Sequence, residues 1–325
     1  MGYPRYLLVP PGAPGVYHCT SRCVRRAFLC GEDALTGRSF EHRRGWLEER
    51  ILELGALFAL AVHAYAVMSN HLHLVVELDP AQAQAWSAEE VAARWLALSA
   101  RPAEDERGRE QRIAELARDA ERIAELRQRL ACLGWFHRFL KEPIARRANA
   151  EDECTGRFWE GRYSSKDALD DPAVLANMVY VDLNPVRAGI APTPEASAYT
   201  SVRRRAAALK AGTARHDAPL TPLAAGIRSD LLTLTEAEYL DLVEWTGRSL
   251  HPGKHGAIDA QAPPVLERLG LDPERWCAQV PLTETGYCRA VGSLASLIEH
   301  ARRTGRRWLR GVGTARRIER GVRTA

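Results

Sequence analysis

Two histidines one residue apart, His71 and His73, lie in the run Met68-Ser-Asn-His-Leu-His-Leu-Val-Val-Glu77. Apolar and β-branched residues dominate this run, as they do in a β-strand. Strand side chains alternate between faces, so residues two apart point the same way. The two imidazoles therefore emerge side by side, with Leu72 and Leu74 on the other face. Two parallel imidazoles form half of a site for a divalent metal. Taken alone, the pair also reads as two half-exposed strand histidines with no ligand.

A second chemical pair follows about a hundred residues on, in Val179-Tyr-Val-Asp-Leu-Asn-Pro-Val-Arg-Ala-Gly189. Val174, Leu175, Met178, Val179 and Val181 suit a helix entered through Asp170-Asp171-Pro172. Carboxylates at its start complement the helix dipole, and proline is tolerated in the first turn. Pro185 is expected to end or kink this helix near Asn184. Tyr180 and Asn184, four apart, share one helix face. Beside a histidine pair they are a candidate nucleophile and a candidate third metal ligand. The plainer alternative is a packed tyrosine and a helix-ending Asn-Pro.

Together these segments resemble the HUH single-tyrosine transposases, and within them the REP-associated tyrosine transposases. The blocks Tyr17-His-Cys-Thr-Ser-Arg-Cys-Val-Arg-Arg26, His63-Ala-Tyr-Ala-Val-Met-Ser-Asn-His71 and Gly156-Arg-Phe-Trp-Glu-Gly-Arg-Tyr163 agree in order with that family. The resemblance covers roughly residues 5–200, is interrupted by an insertion near 82–150, and does not reach the last third of the chain. It implies a ferredoxin-like α+β domain that cuts and transfers single-stranded or hairpin DNA through a 5′-phosphotyrosine. By position, it implies that His71 and His73 are metal ligands, Tyr180 is the nucleophile and Asn184 is the third ligand. Family precedent makes the metal Mg2+ or Mn2+, although imidazole ligands favour Mn2+ and later metals on chemical grounds. Arg22, Arg25, Arg157, Arg162 and Arg187 lie within the matched blocks and are candidate phosphate contacts. The REP-associated branch acts as monomers, and the same monomeric state is expected here. Two alternatives stay open: a catalytically silent, domesticated protein recognising palindromic repeats, and a metal phosphodiesterase that uses water as nucleophile.

The composition sets bounds around this chemistry. The 325 residues carry a formal net charge of +4, which is compatible with a nucleic-acid partner without requiring one. From Glu299 to Ala325 nine arginines face two glutamates, a candidate phosphate-binding tail. No apolar run approaches the ~18 residues of a membrane span. The opening Met1-Gly-Tyr-Pro-Arg-Tyr lacks a signal-peptide layout, so a cytoplasmic location and no membrane partner are expected. The seven cysteines include no Cys-x-x-Cys pair. His18, Cys19 and Cys23 lack a second pair to complete a zinc site and read as structural.

The elements that position these residues can be read in outline. Strands are expected at 16–20, at 58–68 (apolar on both faces and therefore central) and at the His-x-His run, with a helix over 41–57. Trp159–Ser164 is a short candidate fourth strand. Helices on one face of a small antiparallel sheet complete an α+β sandwich. Residues 82–150 read as one or two amphipathic helices, with Trp135-Phe-His-Arg-Phe139 packing them onto the domain. Tyr65 reads as core, His63 as a structural strand histidine, and Asp182 and Glu77 as flanking the site. Tyr163 is read either as a DNA contact or as packing. Residues 1–200 are expected as the catalytic domain and 201–325 as a helical accessory domain. In the latter, 191–220 is a connector, Leu232–Ser249 a helix capped by Thr235, and Pro252–Gly256 a loop. Val265–Gly270 and Pro273–Ala278 are short helices, and Leu294–Arg307 leads into the arginine-rich tail.

Overall fold

The computed structural model describes residues 9–24, 30–31, 37–99, 105–250, 262–287 and 289–321. The chain runs β1 (Gly15–Arg22), α1 (His42–Leu57), β2 (Leu60–Val67) and β3 (His71–Leu78). Five helices follow: α2 (Pro80–Gln84), α3 (Ala88–Ala97), α4 (Glu106–Ala117), α5 (Ala120–Leu130) and α6 (Leu133–Glu151). Next come β4 (Ser164–Ala168), α7 (Asp171–Arg187), α8 (Ser201–Lys210), β5 (Ala224–Ala225) and α9 (Glu236–Ser249). The last elements are α10 (Pro264–Arg268), α11 (Pro273–Thr285), β6 (Ala290–Val291), α12 (Leu294–Arg303) and α13 (Val312–Glu319). No helix among the described residues is long and apolar enough to cross a membrane.

The six strands form one sheet in the order β5-β2-β3-β1-β4-β6. Every neighbouring pair is antiparallel except β4 with β6. The fold class is α+β, and the inner order β2-β3-β1-β4 is the ferredoxin-like one. Alternation along the strands divides the core into two layers. Tyr17, Cys19, Leu72, Leu74 and Val76 pack with Leu47, Ile51 and Leu54 of α1 and with Leu133, Phe136 and Leu140 of α6. Val16, Ala64, Ala66 and Val75 face the other way and pack with Met178, Val179 and Tyr180 of α7. The expectation of helices on one face is therefore incomplete. A sheet whose central strands are apolar on both faces needs cover on both, and α7 supplies the second layer.

Local chemistry accounts for the helix limits. The run 80–151 divides into five helices rather than one or two because side-chain caps interrupt it. Asp79, Ser87, Asp105 and Asp119 each accept a hydrogen bond from a first-turn backbone N–H. Phe136 is buried edge-on against Phe58, with ring centroids 5.7 Å apart, as the aromatic cluster anticipates. Asp170 caps α7 by accepting from the Ala173 N–H at 3.0 Å. Pro185 does not end α7, which runs to Arg187. The proline removes one hydrogen bond near the helix end, whereas every residue from Ala173 to Leu183 is buried and holds the helix in register. Gly189, at φ +68°, closes it.

The fourth strand lies at Ser164–Ala168, not Trp159–Ser164. Trp159 makes a single bridge to Cys23. The segment expected as a connector contains α8, whose Arg205 is buried and pairs with Glu236 at 2.6 Å. Asp182 does not flank the site. It is fully buried, accepts from the Tyr239 hydroxyl at 2.5 Å and the Val202 N–H at 3.0 Å, and bonds the Ser201 hydroxyl, so it ties α7 to α8 and α9. Tyr239, Leu242, Trp245, Trp276 and Val280 share the buried cluster of α7. Thr235 caps α9 in a reciprocal capping box, as expected. Helix α11 extends to Thr285, beyond the expected end at Ala278, and the tail folds back as α13. The expected loop at 252–256 lies outside the described residues.

Asp167 on β4 yields a test of this edge. Burial raises its carboxyl to about 7, with Arg303 opposing. A carboxyl raised on folding contributes stability below its unfolded value, near 4, and loses that contribution as pH rises through about 7. Asp167→Asn, uncharged throughout, is expected to melt at a higher temperature than the wild type near pH 8, with the gap closing toward about pH 4. Thermal melts across that range check it, and a gap independent of pH would count against a buried neutral carboxyl.

Candidate active site

His71 and His73 point to the same face of β3, toward α7, with ring centroids 4.8 Å apart. The register of β1 against β3 sets Thr20 opposite His73 and Arg22 opposite His71. One step along β1, His18 reaches sideways, and its Nε2 lies 2.9 Å from His73 Nδ1. From the facing layer α7 presents Tyr180 and Asn184. The Asn184 amide nitrogen is 3.4 Å from His73 Nε2, and the Tyr180 ring centroid is 5.9 Å from those of both His18 and His73. The four residues singled out by pattern, His71, His73, Tyr180 and Asn184, thus converge from one strand and one helix.

One set of tautomers fits these contacts with the Asn184 amide nitrogen turned toward His73. The Asn184 amide nitrogen only donates, so His73 Nε2 accepts and His73 carries its proton on Nδ1. His18 Nε2 is then the acceptor for that proton. His71 Nδ1 lies 2.5 Å from the Asn70 side-chain oxygen, an acceptor, and therefore donates to it. In that set both imidazoles of the pair hold a proton on Nδ1 and keep the Nε2 lone pair, which is the state a metal-binding histidine takes. Burial pushes the pKa of His73 well below the ordinary value, with help from His18 and His71. Burial and then Arg22 lower His71 as well. Burial, followed by the nearby Lys166, pushes His18 down to about 4. Among the described residues no three His, Cys, Asp or Glu side chains gather as a metal cage. A cation at this place would take the two Nε2 atoms and, with the amide turned, the Asn184 oxygen.

The Tyr180 hydroxyl donates to Glu284, in the last turn of α11. Lys166, opposite His18 on β4, donates to the backbone oxygens of Thr283 (3.0 Å) and Glu284, fixing that turn. Arg22 lies 3.9 Å from the Glu284 carboxylate, and the Arg187 guanidinium sits 5.2 Å from the centre of the Tyr180 ring. Burial and then the Glu284 hydrogen bond raise the Tyr180 phenol well above its ordinary value. Burial alone would raise Glu284, but the Tyr180 hydrogen bond, Lys166 and the histidines outweigh it and hold the carboxyl below its usual range.

Sequence reasoning misses His18 and Glu284. His18 stands two positions before Thr20, so strand alternation places both on one face, but only the β1–β3 register places His73 beside them. Glu284 carries no local signal. It arrives through the extension of α11 beyond its expected end. The remaining candidates separate. Arg22 and Arg187 flank the site, Arg157 is exposed beside the end of β1, and Arg25 lies outside the described residues. Arg162 lines a surface cavity of about 390 Å³ with His137, Lys141 and Trp159. Tyr163 packs, stacking on His137 with ring centroids 3.7 Å apart. His63 bonds Glu77 at 3.0 Å at the far end of the hairpin, a structural pair, and Tyr65 is core. His18 and Cys19 point to opposite faces, which removes the zinc alternative.

No protein-family model matches the chain, and no curated protein matches it. Among solved structures it is similar to a REP-associated tyrosine transposase bound to a REP hairpin. That similarity has 13% sequence identity and a TM-score of 0.34, over 71% of this chain and 96% of the other.

Proposed function

We propose that this chain cuts one strand of single-stranded or hairpin DNA at Tyr180 and holds the cut end as a 5′-phosphotyrosine. The observation that carries the reading is the convergence of a lone phenol with two neutral, lone-pair-bearing imidazoles and an amide. Arg22, beside Glu284, and Arg187, against the Tyr180 ring, receive the scissile phosphate. A divalent cation, Mg2+ or Mn2+, held by His71, His73 and Asn184 would polarise the non-bridging oxygens.

The rest of the chemistry falls to the chain itself. Burial and Glu284 push the Tyr180 phenol up more than Arg187 and Asn184 pull it down, so a free phenolate at neutral pH is out of reach. The proton must leave as the oxygen attacks. Glu284, hydrogen-bonded to that hydroxyl and held in its ionised form, is the acceptor. In the step, the Tyr180 oxygen bonds to phosphorus and its proton passes to Glu284. The bond from phosphorus to the 3′ oxygen breaks, and that oxygen takes a proton from solvent. The phosphotyrosine conserves the energy of the broken bond for resealing.

Three substitutions test this reading. With a labelled hairpin oligonucleotide and Mn2+, the wild type is expected to form a protein–DNA adduct that survives denaturant and disappears with protease. Tyr180→Phe should bind the hairpin and form no adduct; an adduct with this variant assigns the nucleophile elsewhere. Cutting without any adduct would identify the water-using phosphodiesterase, and binding without cutting the silent repeat-binding protein. Glu284→Gln, which keeps the shape, should slow adduct formation by about 10²- to 10⁴-fold, with the rate recovering as pH rises. An unchanged rate removes Glu284 from proton transfer. His18→Phe, which keeps a ring without a nitrogen, should weaken Mn2+ binding by calorimetry about 10- to 100-fold, because the His73 tautomer loses its acceptor. Equal affinity would show that His18 does not position the pair.

A further inference from the structure

The turn between α12 and α13 presents an aromatic side chain that the cleavage chemistry leaves unused. Trp308 is 70% exposed, more than any other large apolar side chain among the described residues. A fixed turn holds it there. Gly305, at φ +66°, closes α12, with the Arg306 N–H donating to the Ala301 oxygen at 2.8 Å. Leu309, the next residue, is buried. Gly311, at φ +119°, lies so close to Tyr287 that a Cβ there would meet the ring at 2.6 Å. Beyond it the Thr314 hydroxyl donates to the Gly286 oxygen at 3.0 Å, and Ala315 and Ile318 are buried. The chain is tied down on both sides of an indole that faces water.

The exposed charges on the turn itself and on the α13 face that follows it are mainly arginines. Arg303, Arg307, Arg310, Arg316 and Arg317 are all exposed. The two glutamates of the region are engaged elsewhere: Glu299 lies 3.9 Å from Arg302, and Glu319 accepts the Leu294 N–H at 2.9 Å. An indole offers a flat face to a base, and guanidinium groups take phosphates. Single-stranded DNA presents both features at once, whereas a duplex hides its base faces in the stack. We propose that the Trp308 turn is a docking surface for single-stranded DNA, with the indole as a stacking platform and the neighbouring arginines as phosphate contacts. This extends the cleavage reading but requires only binding.

The test uses the full chain carrying Tyr180→Phe, so that binding is read without cutting. Anisotropy of a labelled mixed-sequence oligodeoxynucleotide is followed across salt concentration. Trp308→Ala should weaken binding about tenfold and leave the salt slope unchanged, and Trp308→Phe should keep most of the affinity. Arg307→Gln with Arg310→Gln should lower the slope by about 0.7 for each phosphate that the variant no longer neutralises. The matching duplex should be indifferent to Trp308→Ala. Wild-type affinity in Trp308→Ala, an equal loss on duplex and single strand, or a loss in Trp308→Phe as large as in Trp308→Ala would overturn stacking. Trp308-dependent binding of the matching RNA without binding of DNA would overturn the choice of DNA. A wild type that forms no adduct, in a chain that still binds through Trp308, refutes cleavage and leaves this surface standing. Adduct formation with indifference to Trp308→Ala does the reverse.

Discussion

The antiparallel pairing of β1 with β3 is the constraint on which the candidate site rests. Its register sets Thr20 against His73 and Arg22 against His71, and lets His18 reach the His73 ring. A slip of one residue would turn every side chain of a strand to the other face. The register is held from the opposite side of the sheet. Tyr17, Cys19, Leu72, Leu74 and Val76 are buried against α1 and α6, and a slip would drive His71 and His73 into that apolar layer. The apolar alternation that stabilises the fold is the same alternation that keeps the imidazoles together on the α7 side.

Burying imidazoles in this way is costly unless their polar atoms are satisfied. His18 and His73 are buried, and both are pushed toward the neutral form by burial. The chain of contacts from Asn184 to His73 to His18 supplies partners for both ring nitrogens of His73 and for Nε2 of His18. Each link depends on a different element, so the state of one ring is set jointly by β1, β3 and α7. The protonation that folding favours is also the protonation that leaves both Nε2 lone pairs available.

What can be read from the sequence is what short-range physics determines. The period of two places His71 with His73, the spacing of four places Tyr180 with Asn184, and cap residues mark the starts of α7 and α9. β4 escapes because Ser-Ser-Lys-Asp-Ala has no apolar alternation and is held by its backbone between β1 and β6. Periodicity undercounts the helical insertion because the caps at Ser87, Asp105 and Asp119 divide it. Pro185 misleads because the burial that keeps α7 intact is a tertiary effect. His18 and Glu284 are partners across 55 and 104 residues, and no local pattern encodes such a meeting.

Glu284 stands where helix energetics alone would not put it. It lies in the last turn of α11, where the helix dipole disfavours a carboxylate. The structure offsets this with Lys166, whose ammonium group donates to the terminal carbonyls of that turn, and with Arg22 at 3.9 Å from the carboxylate. A carboxylate maintained against its local preference, by cations drawn from two strands of the sheet, violates a local rule in the way functional sites do. Its one hydroxyl partner is Tyr180, the residue whose pattern first marked the helix as chemical. Lys166 serves two ends, since it compensates the misplaced charge and, after the Tyr180 hydrogen bond, helps to hold the carboxyl below its usual range. The last third of the chain, in which no catalytic motif can be read, thus supplies the carboxylate that bonds the Tyr180 hydroxyl.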